Sequence, residues 1–123
     1  MSGWIPKIHR PIIDKLLKWG IIHLLILKII SDEGETWKNQ IEKLLYERYG
    51  LSVGSGSLQS RMFLQQKLGY IEKVREEWGI MGSKKRKIYR VTPKGLDLLK
   101  SSIEFLEYVL RRLREPPLKR NIK

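Results

Sequence analysis

A chain of 123 residues has room for one core and an added helix, because a single domain typically takes about 100 to 150 residues, and this excludes a second catalytic domain. Hydrophobic residues at 41% and charged ones at 31% describe a folded chain with an ionic surface, and 25 Lys plus Arg against 13 Asp plus Glu leave +12, which points to nucleic acid or an acidic membrane surface as partner. The absence of cysteine excludes disulfides, thiolate zinc sites and cysteine nucleophiles.

Alanine is also missing while Ile, Lys and Glu abound, a bias met in thermophiles and in A·T-rich genomes. Solubility or heat adaptation is the plainer account of the charge. Met1 to Arg10 holds no apolar stretch that could serve as a signal peptide, and Trp19 to Ile30, broken by His23 and Lys28, falls far short of the ~20 residues of a bilayer span. The expectation is a cytoplasmic, nucleoid-associated protein with no membrane partner.

Along the chain, Pro11 and Asp14 can start a helix, and Lys15 to Ile30 is apolar on nearly every side, as a central helix covered by its neighbours would be. Ser31 to Gly34 reads as a turn, and Thr36 as the N-cap of a second helix reaching Tyr49. In that helix Trp37, Ile41, Leu44, Leu45 and Tyr49 recur at three and four spacing, and Gly50 closes it. Ser57 is the expected cap of a third helix ending at Gly69. Leu58, Met62, Gln65 and Leu68 fall on its inner side, with Gln59, Ser60, Phe63, Gln66 and Lys67 outside. Phe63 is out of place there.

Tyr70 to Trp78 and Lys87 to Thr92 carry strand formers, and Gly79 to Arg86 between them reads as a hairpin tip. Thr92-Pro93 starts a last helix that runs to about Arg114 and is stopped by Pro116-Pro117. Three helices, a β-hairpin and a long final helix make a mainly α fold with a small β-hairpin, in the order of a winged helix-turn-helix domain followed by a C-terminal dimerisation helix. The boundaries are an N-terminal arm at 1–13, the winged domain at 14–92, the dimerisation helix at 93–115 and a basic tail at 116–123.

That order suits double-stranded DNA, since a helix fits a major groove about 12 Å wide while a hairpin reaches the flanking backbone. Lys84, Lys85, Arg86 and Lys87 are the expected phosphate contacts, and Arg90 is placed to add to them. Ser55, Ser57, Gln59, Ser60 and Arg61, with Lys67 further along, are the candidates on the third helix, where Gln suits adenine and Arg suits guanine. Capping and solubility offer a plainer account of each. Gly54-Ser55-Gly56-Ser57 resembles a phosphate loop only faintly, because no Lys follows it.

On the last helix Leu96, Leu99, Ile103, Leu106, Leu110 and Leu113 step 3, 4, 3, 4, 3, which is an a/d seam, while Leu98, Phe105 and Val109 form a second stripe. One stripe is expected to pack on the first helix and the other on a second subunit, giving a homodimer through Leu99, Ile103, Leu106, Leu110 and Leu113. His9 and His23 have no acidic partners at a metal or acid/base spacing, so no metal, cofactor or catalytic residue is expected. His23 reads as a core residue and His9 as a surface one. Trp4, Trp19, Trp37 and Trp78 read as core or interface fillers.

The chain resembles the PadR-like winged-helix regulators over roughly Lys15 to Leu113. The resemblance is carried by Leu24 to Leu27 before the Glu33-Gly34 turn, Ile41 to Gly50, Gly56-Ser57-Leu58, Leu68 to Glu72 and Arg86 to Thr92. The family has Tyr-Pro where Gln59-Ser60 stand and His-Gly where Glu35-Thr36 stand, so its operator preference does not transfer. MarR-like proteins share the Leu68 to Ile71 and Val91 to Gly95 patterns. The resemblance implies a dimer built through the terminal helices and repression by operator occupancy. A small aromatic effector between subunits is a further implication, with Trp19 or Trp78 as candidates. The competing function is a sequence-tolerant architectural chromatin or RNA-binding protein; a small enzyme lacks the necessary carboxylate cluster or nucleophile pair.

Overall fold

Isoleucine loses side-chain freedom in a helix, yet the Ile-rich first segment is helical because four of its five isoleucines are buried. In α1 (Trp19–Glu33) Ile22, Ile26, Leu27, Ile29 and Ile30 are buried, and their neighbours are α2 (Lys38–Tyr49), α3 (Ser55–Lys67), β2 (Lys85–Val91) and α4 (Pro93–Arg114). Each such side chain contributes about 1.5 to 3 kcal/mol on burial, which outweighs propensity differences of at most ~0.7 kcal/mol. The structure is a computed structural model and describes residues 19–79 and 84–117. The expected arm at 1–13, the start of the first helix at Pro11 and Asp14, His9, the hairpin residues 80–83 and the tail from 118 onward lie outside them.

The turn expected at Ser31 to Gly34 is shorter, since α1 continues through Glu33 and only Gly34 (φ 80°) takes the left-handed conformation. Carboxylates are unfavourable at a helix C-terminus, and Arg48 offsets them by pairing with Glu33 at 2.8 Å and Asp32 at 3.7 Å. Thr36 is not the N-cap of α2. Trp37 holds that position without a side-chain cap bond, while Thr36 is fully buried and bridges Tyr89 through reciprocal backbone bonds of 3.1 and 2.8 Å. A polar residue read as a cap is thus a single bridge to the edge of the hairpin. At the other end Gly50 (φ 66°) closes α2 with Leu51, whose N–H returns to the Leu45 carbonyl, the paired pattern of a left-handed cap.

Helix α3 starts at Ser55, two residues before the expected cap Ser57, with Gly54 at its N-cap. Its inner face is Leu58, Met62 and Gln65, as the spacing predicts, but Leu68 is exposed. The antiparallel hairpin pairs β1 (Ile71–Trp78) with β2 from Ile71↔Val91 to Trp78↔Lys85, with a bulge between Lys73 and Arg75. Lys85 and Arg86 therefore belong to a strand, not to the tip.

Thr92 caps α4 by accepting the Gly95 N–H, with Pro93 in the first turn. Gly95 marks a close approach of α4 to the wing base: a Cβ there would lie 2.1 Å from the Tyr70 carbonyl oxygen and 2.7 Å from Val91 Cγ1. Leu98 packs against the core, but beyond it the helix parts from expectation, because Phe105 of the second stripe is exposed like the first. Over the outer half of α4 the first stripe is exposed, and of the second only Val109 is half-buried.

Candidate nucleic-acid interface

The third helix is held by its buried side. Gln65, 3% exposed, donates from Nε2 to the His23 carbonyl at 2.9 Å and faces His23 Nδ1 at 3.3 Å, which ties α3 to α1 and sets its rotation. His23 is half-buried, not enclosed; burial first, and the charge of Arg61 second, hold its pKa below the ordinary value. The opposite face of α3 then carries Gln59, Ser60, Phe63, Gln66 and Lys67 into solvent, which agrees with the spacing.

Of the other candidates on α3, Ser55 is exposed and its Oγ accepts from Lys38 Nζ at 2.9 Å, joining the first turns of α2 and α3. Ser60 turns its hydroxyl onto the Gly56 carbonyl at 3.0 Å. Arg61 and Ser57 lie together on one flank, where Arg61 donates to both the carbonyl and the hydroxyl of Ser57. Arg61 is half-buried beside His23, away from the face that Gln59 shares with Lys67.

The basic tetrad is divided by the strand that its last three residues enter. Lys84, Lys85 and Lys87 are exposed, and none is paired with a carboxylate of the described residues. Arg86 alternates to the other face of β2, where its guanidinium stacks 3.8 Å from the Trp37 ring centroid with Glu77 at 3.7 Å. Trp37 is consequently the seat of a strand cation as well as the start of α2, and charge counting alone had no means of finding it. Arg90 does not join the patch, being engaged with Glu72 across the hairpin at 2.6 Å. Trp78 is no core filler: it is 63% exposed at the end of β1 with Lys85 Nζ 5.2 Å from its ring centroid. The side chain of Trp19 lies outside the described residues.

These parts surround one open groove of about 700 Å³, bounded by Trp37, Lys38 and Asn39 at the start of α2, Gln59 of α3, and Lys84 to Lys87 on the hairpin. Elsewhere the carboxylates are largely occupied: Arg75 bridges Glu35 and Glu77, Lys73 holds Glu76, and Lys28 holds Asp32. Lys84, Lys85 and Lys87 thus form one cluster of cations without carboxylate partners beside the exposed face of α3, where a polyanion can be met without burying charge. Among the described residues no group of three or more His, Asp or Glu could hold a metal ion, and no helix is long and apolar enough to cross a membrane.

On sequence alone no family model and no curated protein matches the chain. Solved structures do. A PadR-like transcriptional regulator from Bacillus cereus is 29% identical, covering 84% of this chain and 99% of that one at a TM-score of 0.64. A PadR family regulator from Eggerthella lenta is 24% identical, covering 87% and 92% at a TM-score of 0.64. Bacillus subtilis PadR, solved in complex with operator DNA, is 18% identical and covers 84% of this chain but 52% of its own, at a TM-score of 0.60. The three helices, hairpin wing and long last helix are therefore a winged-helix fold, and solved proteins that share it with this chain include PadR-family and PadR-like transcriptional regulators.

Proposed function

We propose that the chain is a PadR-like transcription regulator that binds operator DNA as a homodimer and represses by occupying the site. One observation carries this reading: Gln59 of the exposed face of α3 and the wing lysines that no carboxylate holds border the same groove. A neighbour of the same fold, solved with operator DNA, supports it. In this reading residues 14–92 form the DNA-binding unit, 93–115 the dimerisation helix, and 1–13 and 116–123 the arm and basic tail. The protein acts in the cytoplasm on the nucleoid.

The division of labour follows from position. Gln59 and Ser60 project from α3 toward base edges, with Ser55, Ser57, Arg61 and Lys67 serving phosphates or the helix ends. Lys84, Lys85 and Lys87 hold the flanking backbone, while Arg86 on Trp37 fixes the angle of the wing. Leu99, Ile103, Leu106, Leu110 and Leu113 face the second copy, so half-sites recur about one helical turn, roughly 10 base pairs, apart.

Selection of bound duplexes from a random pool tests the reading, with a two-fold symmetric motif as the expected result. No motif would instead mark a sequence-tolerant architectural protein. On the selected duplex, Lys84, Lys85 and Lys87 changed together to Gln weaken specific and random binding alike and flatten the log affinity against log salt slope by about 0.9 per lost phosphate contact. An unchanged slope would remove the wing from the interface.

A further inference from the structure

Phe63 is 63% exposed in the middle of α3, an unusual place for a phenyl ring that gains most from being covered. The rotation of the helix sets the side it occupies. Leu58, Met62 and Gln65 are at most 3% exposed, and Gln65 is bonded to α1, so Phe63 cannot turn into the core. One turn before it are Gln59 and Ser60, and one turn after it Gln66 and Lys67, all exposed. A protein partner would have to desolvate these polar groups to reach one ring.

The surroundings fit a nucleic acid better. Small residues lie beside the ring on the same face: Ser60, and Gly56, where a Cβ would meet nothing within 4 Å, so the helix can settle deep in a groove. The floor of the major groove is polar except for one apolar group, the C5-methyl of thymine, against which a phenyl ring packs. We infer that Phe63 is a specificity-determining residue whose ring covers a thymine methyl in each half-site. The inference rests on the DNA-binding reading above and adds a named base group to it.

The probe is the duplex selected from the random pool by the full chain, resynthesised with deoxyuridine for each thymidine in turn so that one methyl is removed at a time. One position per half-site is expected to weaken wild-type binding about four-fold, the worth of one buried methyl-sized group. Phe63→Ala is expected to bind the methylated and unmethylated duplexes equally, and Phe63→Leu to keep part of the difference. Because the ring is exposed, both variants unfold at the wild-type temperature, which is measured alongside. A motif with no thymine at which the methyl matters, or an equal uracil penalty in wild type and Phe63→Ala, overturns the role of Phe63 while leaving the regulator reading intact. Loss of dimer mass in Phe63→Ala with the uracil penalty retained makes the ring a protein contact and overturns it too. A pool that yields no motif overturns both.

Discussion

The two ends of α4 are apolar to a similar degree and are treated differently by the fold. Its first turns sit on the wing base, with Gly95 buried and Leu98 against the core, whereas Ile103, Leu106, Leu110 and Leu113 are 38–76% exposed. The difference lies in what is near. Tyr70, Val91 and α1 crowd the start of the helix, but few of the described residues reach its outer half, so the same leucine pattern serves a core at one end and is left exposed at the other. An a/d seam shows that a surface will be covered and does not say by which chain.

Breaking the closed region is expected to cost most. Ile26→Ala, at a fully buried site in α1, lowers unfolding free energy by about 2 to 5 kcal/mol in denaturant titration. A loss below ~1 kcal/mol would mean that the site collapses around the gap. Gly95→Ala forces a Cβ toward the Tyr70 carbonyl, and backbone must move; about 1 to 3 kcal/mol of destabilisation is expected, with the wing displaced. Wild-type stability in that variant would show that α4 can shift freely on the wing base.

On the open region the expected loss is of assembly rather than of fold. Leu106→Lys with Leu110→Lys leaves the monomer's secondary structure intact and halves the mass in sedimentation, because charge enters an interface that can only be desolvated at a cost. Unchanged mass, or a wild-type monomer, refutes the proposed dimer. The smallest effect lies at the joint between α1 and α3. His23 is held below its ordinary pKa, so between that lowered value and ~6.5 the unfolded chain binds the extra proton. Its contribution to stability is complete above pH ~6.5 and falls away as the pH drops. His23→Gln is expected to flatten thermal stability between pH 7 and 5 relative to wild type; an equal decline in both would place the sensitivity elsewhere.

Much of α3 was legible in its spacing, since Leu58, Met62 and Gln65 recur at helical intervals and left Gln59, Ser60 and Lys67 for solvent. Less was legible in the wing. A run of four cations looks uniform as a string, but a strand alternates its faces, and that sends Arg86 onto Trp37 while Lys85 and Lys87 stay outside. Thr36 shows the same limit. Its type and position suit an N-cap, and only the approach of Tyr89 from far along the chain makes it a bridge residue.

The sequence by itself determined the order of elements, the inner face of α3, the left-handed stop at Gly50, the Thr92-Pro93 start of α4 and the excess of positive charge. These depend on neighbours within a turn or two, or on composition alone. The tertiary structure decided where charge is cancelled, which wing cation is spent on an aromatic ring, and how abruptly the last helix leaves the core. Each of those depends on groups brought together across tens of residues, and no local pattern encodes the distance between them.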